Sequence, residues 1–369
     1  MKAPLTKSWS VILTLLALAF SAIGVTAHAA TFTVTNLNDS GAGSLREAIG
    51  DTNAFAGADT ITFSASGTIT LFTTLPTVTD TGGLTIDGTG QTLIISGNNA
   101  VRVMEVGFST SLTLNNLTIV NGSAPGDHGG GIHNFGTLTV TNSNFSGNST
   151  SGGFNAGFGG GISNEGTLTI TNSTFTGNSA TGGYGGGVYS TGFPLTITNS
   201  TFSGNSANVG FGGGIFTGGG TLITNSTFSG NSATGGFGAA IKNNNVASQV
   251  TLRNTIVANS VGAGNCNGGI TNGGNNIDDG TTCGWGAVSG SMSSSNPLLG
   301  ALANNGGPTQ TIALLTSSPA IDGVTFSAPN GAPSTDQRGV ARPQGVRYDI
   351  GAYEHFRFPL NAILFFLLE

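Results

Sequence analysis

GGGISNEGTLTITNSTFTGNSA, residues 159–180, contains a single charged side chain, Glu165, and its outline returns at once as GGGVYSTGFPLTITNSTFSGNSA, residues 185–207. The glycine-rich starts fall at Gly129, Gly159, Gly185, Gly212 and Gly238, spaced by 30, 26, 27 and 26 residues. The phrase ending in Gly-Asn places Phe145, Phe175, Phe202 and Phe228 at matching offsets. Inside each unit the TLTIT stretch alternates strictly. Leu138 and Val140, Leu168 and Ile170, then Leu195 and Ile197 fall on one side and threonines on the other, which is the period of a half-buried strand. A unit of this length, with two or three short strands between Gly, Asn and Ser turns, cannot bury its apolar face alone and must stack on its neighbours. The expected class is all-β, a parallel β-solenoid.

Stacking sets equivalent residues about 4.8 Å apart along the axis. The phenylalanines should then form an internal column, continued by Ile119 before it and Ile256 after it. Asn116, Asn142, Asn172, Asn199 and Asn225 should form an amide ladder at a turn. The scarcity of charge follows from the same geometry, because a charge written into every repeat would lie over its own copies. The GGG runs have a structural reading at tight corners, and no Lys-Ser/Thr follows them to make a phosphate loop. One repeat breaks the pattern: Thr221 falls where Leu168 points inward and Leu222 where Thr169 points outward. A bulge at Gly218-Gly219-Gly220 that returns Leu222 toward the core is expected.

Lys2 and Lys7 precede the apolar run from Val11 to Gly24 and the small-x-small site Ala27-His28-Ala29, so residues 1–29 read as a signal peptide. The run is short for a membrane span, the competing reading. Removing both lysines leaves 8 basic against 16 acidic side chains, a net charge of −8, which argues against nucleic acid as a partner. Cys266 and Cys283, the only cysteines, read as one disulfide in an exported chain. A zinc site would need two further ligands, and no histidine lies between Asn134 and Tyr353. Glycine supplies 63 of 369 residues, which without the repeat would point to disorder.

Solenoid ends expose strand edges and call for caps. In SLREAIG, Ser44 and Glu47 form a capping box ahead of Leu45, Ala48 and Ile49 on one helical face. Ser44 to Ala48 also resembles the CSLREA-type motif of bacterial exported β-helix proteins, with Gly43 where that motif has cysteine. LTIDGTGQTLIISGNN, residues 84–99, resembles right-handed parallel β-helix repeats, and the alternation of GGGI with FSGN or FTGN is also similar to the repeats of polymorphic outer-membrane proteins. NPLLGALANNGGPTQTIALLTSSPAIDG, residues 296–323, and TDQRGVARPQGVRYDIGAYE, residues 335–354, resemble the choice-of-anchor Q domain. The resemblance implies a secreted or surface-attached right-handed parallel β-helix and brings no catalytic residues with it. The expected organisation is a signal peptide at 1–29, an N-terminal cap with a short helix at 30–60, repeats at 61–262, a choice-of-anchor Q-like capping or anchor domain at 263–355 and an apolar tail at 356–369. The tail is too short to cross a bilayer and reads as an anchor remnant, a docking segment or an altered reading frame.

From Val106 to Ile241 the only Asp, Glu, His, Lys or Arg residues are Asp127, His128, His133 and Glu165, so the paired carboxylates of a hydrolase and the acidic cluster of a lyase are not visible. Registered on GGG, His133 and Glu165 lie on successive coils and share a face, either as a catalytic pair or as ordinary polar residues. Asp278 and Asp279 read as a Ca²⁺ site or as solvated acids, and Arg338, Arg342 and Arg347 as salt-bridge partners of Asp336, Asp349 and Glu354. The column His133, Ser163, Tyr189, Phe216, Lys242 follows inward residues, and alternation aims it at solvent. Phe158, Tyr184, Phe211 and Phe237 form a second aromatic column of ambiguous direction. The candidate binding residues are His133, Glu165, Tyr189, Phe216 and Lys242, for a cell-surface glycan or a protein. No catalytic or metal-ligating residue is assigned and no cofactor is expected. The functional expectation is an adhesive or structural binding solenoid, attached to the envelope through its C-terminal region. A polysaccharide lyase or glycoside hydrolase is the alternative. The row Thr139, Thr169, Thr196 leaves a smaller one, an ice-binding face.

Overall fold

Alternating apolar and hydroxyl side chains, broken every few residues by Gly or Asn, yield strands too short to turn back as hairpins, and each pairs with its copy one coil away. The computed structural model describes residues 28–153, 156–245, 247–262, 264–324 and 332–356. Nearly all of the expected signal peptide, and the apolar tail from residue 357, lie outside the described residues. The chain is a right-handed parallel β-helix of about nine coils.

Each full repeat contains four strands, more than the two or three expected. In one coil these are Ile162–Asn164 of a glycine sheet, Thr167–Thr171 of a threonine sheet, Thr174–Thr176 of a phenylalanine sheet and Ser179–Thr181 of a serine sheet. Among the described residues these sheets have seven, ten, ten and six parallel strands. The rungs run from Thr31–Val34 to Met292–Ser293, beyond both boundaries expected for the repeats.

Phe145, Phe175, Phe202 and Phe228 form the internal column, with centroids 4.7–4.8 Å apart and planes within 8° of parallel. Centroid spacing equals strand spacing, so the rings are offset-stacked, worth about 0.5–1.5 kcal/mol per pair beyond burial. Ile119 precedes the column in register, but Val257 follows it. Ile256 pairs with Thr227 and points to the other side of the sheet, because the register advances by one residue relative to the repeat count.

The expected asparagines occupy the corner between the threonine and phenylalanine sheets in left-handed backbone, with φ of 46–53° from Asn116 to Asn225. Their ladder is partial. Asn172 Nδ2 donates to Asn142 Oδ1 at 3.2 Å, whereas Asn199 Nδ2 turns to the Thr335 carbonyl at 2.8 Å. A second, fully buried ladder lies at the next corner: Asn148 donates to Asn178, Asn178 to Asn205 and Asn205 to Asn231, at 2.9–3.0 Å. The GGG corner is steric. Gly159 sits at φ 69°, and a Cβ on Gly160 would lie 2.5 Å from the Gly186 carbonyl oxygen.

No bulge forms at the irregular repeat. Leu195 pairs with Thr221, Thr196 with Leu222 and Ile197 with Ile223 in unbroken register, leaving Leu222 37% exposed and Thr221 4% exposed. The continuous ladder outweighs one leucine, since a slip would expel Ile223. Thr221 tolerates burial because its hydroxyl meets Thr217 Oγ1 at 2.8 Å and the Gly219 carbonyl at 3.2 Å.

At the front, helix α1 (Leu45–Thr52) buries Leu45, Ala48, Ile49 and Thr52. Glu47 N donates to Ser44 Oγ at 3.2 Å while Glu47 Oε2 accepts from Gly43 N at 2.6 Å, a reciprocal box reaching one residue further back than usual. At the far end the Cys266–Cys283 disulfide and Trp285 join the end of the main core. Asp278 and Asp279 staple this loop. Asp278 accepts from the amides of Gly280 and Cys283, and Asp279 accepts from Asn259 N. The remaining C-terminal chain does not extend the axis but folds back along the flank. Leu314, Ala320, Val324 and Ile350 pack on Ile256, Ala258 and Ile277, which explains the outward Ile256. In this lobe Arg338 pairs with Asp336 at 2.6 Å and Arg342 with Glu354 at 2.8 Å, the latter pair fully buried.

Candidate functional site

The glycine sheet carries the cluster. Its outward positions run Glu105, His133, Ser163, Tyr189, Phe216, Lys242 in register. They face away from the core, as alternation requires, yet three of the six are closed to solvent: His133 is 5%, Ser163 0% and Phe216 3% exposed, while Glu105, Tyr189 and Lys242 are half-buried. The second aromatic column roofs them. Phe158 stacks on Tyr189 at 4.6 Å and Tyr184 on Phe216 at 4.8 Å, while Phe158, Tyr184 and Phe211 stack on one another at 5.2–5.3 Å. The ring faces are therefore consumed within the ladder, and ring edges meet solvent. Burial pushes the Tyr189 hydroxyl above its usual value.

His133 Nε2 lies 3.2 Å from Glu165 Oε1, so these two residues do meet. Burial pushes the imidazole below its usual value, outweighing the opposing pull of Glu165. At neutral pH the contact is thus a neutral N–H donating to a carboxylate. Lys242 stands three strands beyond Ser163, where its Nζ donates to Asn267 Oδ1. Burial holds its ammonium below the usual value. Phe216 belongs to the ladder.

Four residues not singled out for the site join the pair. Arg102 donates to Glu105 at 3.0 Å, to Asp127 and to the His128 carbonyl at 2.8 Å. His128 stacks on Phe158 at 4.8 Å and contacts the His133 ring edge-on at 5.7 Å. Burial works to raise the Asp127 carboxyl, but the His128 amide and Arg102 together hold it below its usual value. Register gave a signal for Glu105, which sits one strand before His133. Asp127 and His128 stood out only as two of the four Asp, Glu, His, Lys or Arg residues between Val106 and Ile241, and Arg102, in a loop, had no signal.

The result is one arginine against three carboxylates, with the Asp127 and Glu165 side chains 57% and 42% exposed. Exposed carboxylates beside aromatic edges accept hydrogen bonds from hydroxyl or amino groups and repel acidic polymers. Among the described residues no group of three or more His, Cys, Asp and Glu is arranged to hold a metal ion.

Neither a family model nor a curated protein matches the chain. Among solved structures it is similar to one described as the crystal structure of pectate lyase Pel9A, at 16% identity and a TM-score of 0.38, over 90% of this chain and 98% of that one. No residue role passes from that protein to this chain; the four-sided parallel β-helix stands on its own strand pairing.

Proposed function

We propose that the chain is an exported, cell-surface β-helix that binds a neutral glycan, without cleaving it, at the cluster of Arg102, Glu105, Asp127, His133 and Glu165. One observation carries the reading. The four ionisable residues that the sequence places between Val106 and Ile241, other than tyrosine, come together with Arg102 and Glu105 on one patch. Net negative charge disfavours pectate and other polyuronates, and burial withdraws the His133 imidazole from a bound polymer. The CSLREA-like start and the choice-of-anchor Q-like phrases support export from a bacterial cell and attachment through the C-terminal lobe. A glycan array probed with the chain lacking its first 29 residues tests this. Neutral glycans are expected to be retained, with affinity falling about tenfold or more in Glu165→Gln, equivalent to ~1.4 kcal/mol, at unchanged melting temperature. Shortening of a bound polymer would replace the reading with that of a carbohydrate-active enzyme.

A further inference from the structure

Three sides of the solenoid have their outward residues covered or engaged, or are narrow. The aromatic roof covers the glycine sheet, and the C-terminal lobe covers much of the phenylalanine sheet, where Thr174 Oγ1 donates to the Gln310 carbonyl at 2.6 Å and Thr201 Oγ1 to Gln337 Oε1 at 2.7 Å. The serine sheet has strands of only two or three residues. The threonine sheet differs. From Thr31 to Thr271 its central outward rank holds threonine on every coil but one, where Leu222 stands. The hydroxyls of Thr139, Thr169 and Thr196 have no protein partner among the described residues. No charge falls in this rank, and the neighbouring one carries Asp87 and Arg253 only toward its ends.

We infer that this face binds ice. An occupant must be uncharged, supply donors and acceptors, and repeat with the strands over about 40 Å. Hydroxyls on adjacent strands stand about 4.8 Å apart, and those two residues apart on one strand about 6.6 Å. In a tetrahedral water lattice with O···O of about 2.8 Å, second neighbours lie about 4.6 Å apart and the layer repeat is about 7.4 Å. One spacing matches within about 5% and the other within about 11%. Threonine also suits the task better than serine, because its β-branch limits χ1 and holds successive hydroxyls in one direction, while its methyl lets water order between them. A crystalline sugar surface would fit the period as well. It is gripped through ring stacking, however, and no aromatic stands in these ranks. The inference is independent of the glycan cluster, which lies on another sheet.

Thermal hysteresis and ice-crystal shaping of the purified chain lacking residues 1–29 test it. A freezing gap with faceted crystals is expected. It should fall to the buffer baseline in Thr139→Lys/Thr169→Lys, widen in Leu222→Thr, which completes the rank, and stay unchanged in Glu165→Gln. Circular dichroism and melting of each variant establish that it is folded, and Leu222→Thr supplies a test that does not rely on a loss. Hysteresis at the buffer baseline in the folded parent chain, hysteresis that survives the double lysine variant, or retention on microcrystalline cellulose without any effect on ice would overturn the inference.

Discussion

Replacing Asn178 separates a stacked solenoid held by side-chain packing from one that also depends on its buried amide ladder. Asn178 is 0% exposed. Its Nδ2 donates to the Phe145 carbonyl and to Asn205 Oδ1, both at 2.9 Å. Its Oδ1 accepts from Asn148 Nδ2 at 2.9 Å and Asn148 N at 3.1 Å. In Asn178→Ala, Asn148 Nδ2 keeps the Ile119 carbonyl and Asn205 Oδ1 keeps the Asn178 amide, but Asn148 N loses this acceptor in a corner where Asn148, Asn205 and Asn231 are also fully buried. One to two orphaned backbone groups at about 1–3 kcal/mol each give an expected loss of ~3 kcal/mol. Asn178→Asp sharpens the test because it keeps the shape and adds a buried charge. Its folded pKa is raised, so the folded state binds more protons than the unfolded chain. Stability is then lost as pH rises from about 4 upward. Urea unfolding followed by circular dichroism at pH 5 and pH 8 measures both variants, with m-values compared because a solenoid can unfold in segments. A cost below about 1 kcal/mol for alanine, together with a pH-independent aspartate variant, would refute the argument that the ladder is closed to water and supports the coils.

Reduction of Cys266–Cys283, whose partners are 17 residues apart, is expected to lower stability by about 3 kcal/mol and to expose Trp285; two free thiols on non-reducing alkylation, or unchanged Trp285 fluorescence on reduction, would contradict it. Burial and then the Glu354 charge raise the Asp349 carboxyl to about 7. The folded lobe therefore holds a proton that the unfolded chain releases near pH 4, and lobe stability should decline between about pH 4 and pH 7 by a few kcal/mol at most. Hydrogen exchange at residues 335–354 should rise from pH 5 to pH 8 after correction for intrinsic rates, and Asp349→Asn should flatten the profile; protection that increases with pH would contradict this.

Period, strand alternation, the Phe145–Phe228 column, the corner asparagines and the Ser44–Glu47 box were legible in the chain itself. In a solenoid each residue meets its own copy about 4.8 Å away, so nearest-neighbour reasoning along the sequence is already reasoning about contacts. Errors appear where that rule gives way. Val257 replaces Ile256 in the column because register follows backbone pairing and not residue count, and Leu222 stays outside because the whole ladder outweighs one side chain.

The functional surfaces required the third dimension. Sequence spacing brought His133 and Glu165 to one face, but Arg102 and Asp127 reach them from loops whose direction no repeat encodes. Alternation aims Tyr189 and Phe216 outward; only the folded loops carrying Phe158 and Tyr184 turn that stripe into a buried ladder. Threonine reads identically on two sheets, yet Thr174 and Thr201 are engaged by the C-terminal lobe and Thr139 and Thr169 are left bare. The repeat determines which residues point out, because that is a local property of the strand. What covers them depends on which way the loops carrying Phe158 and Tyr184 turn, and on where the C-terminal lobe folds back from more than a hundred residues away, as Gln310 does on Thr174, and that is decided by the packing of the whole chain.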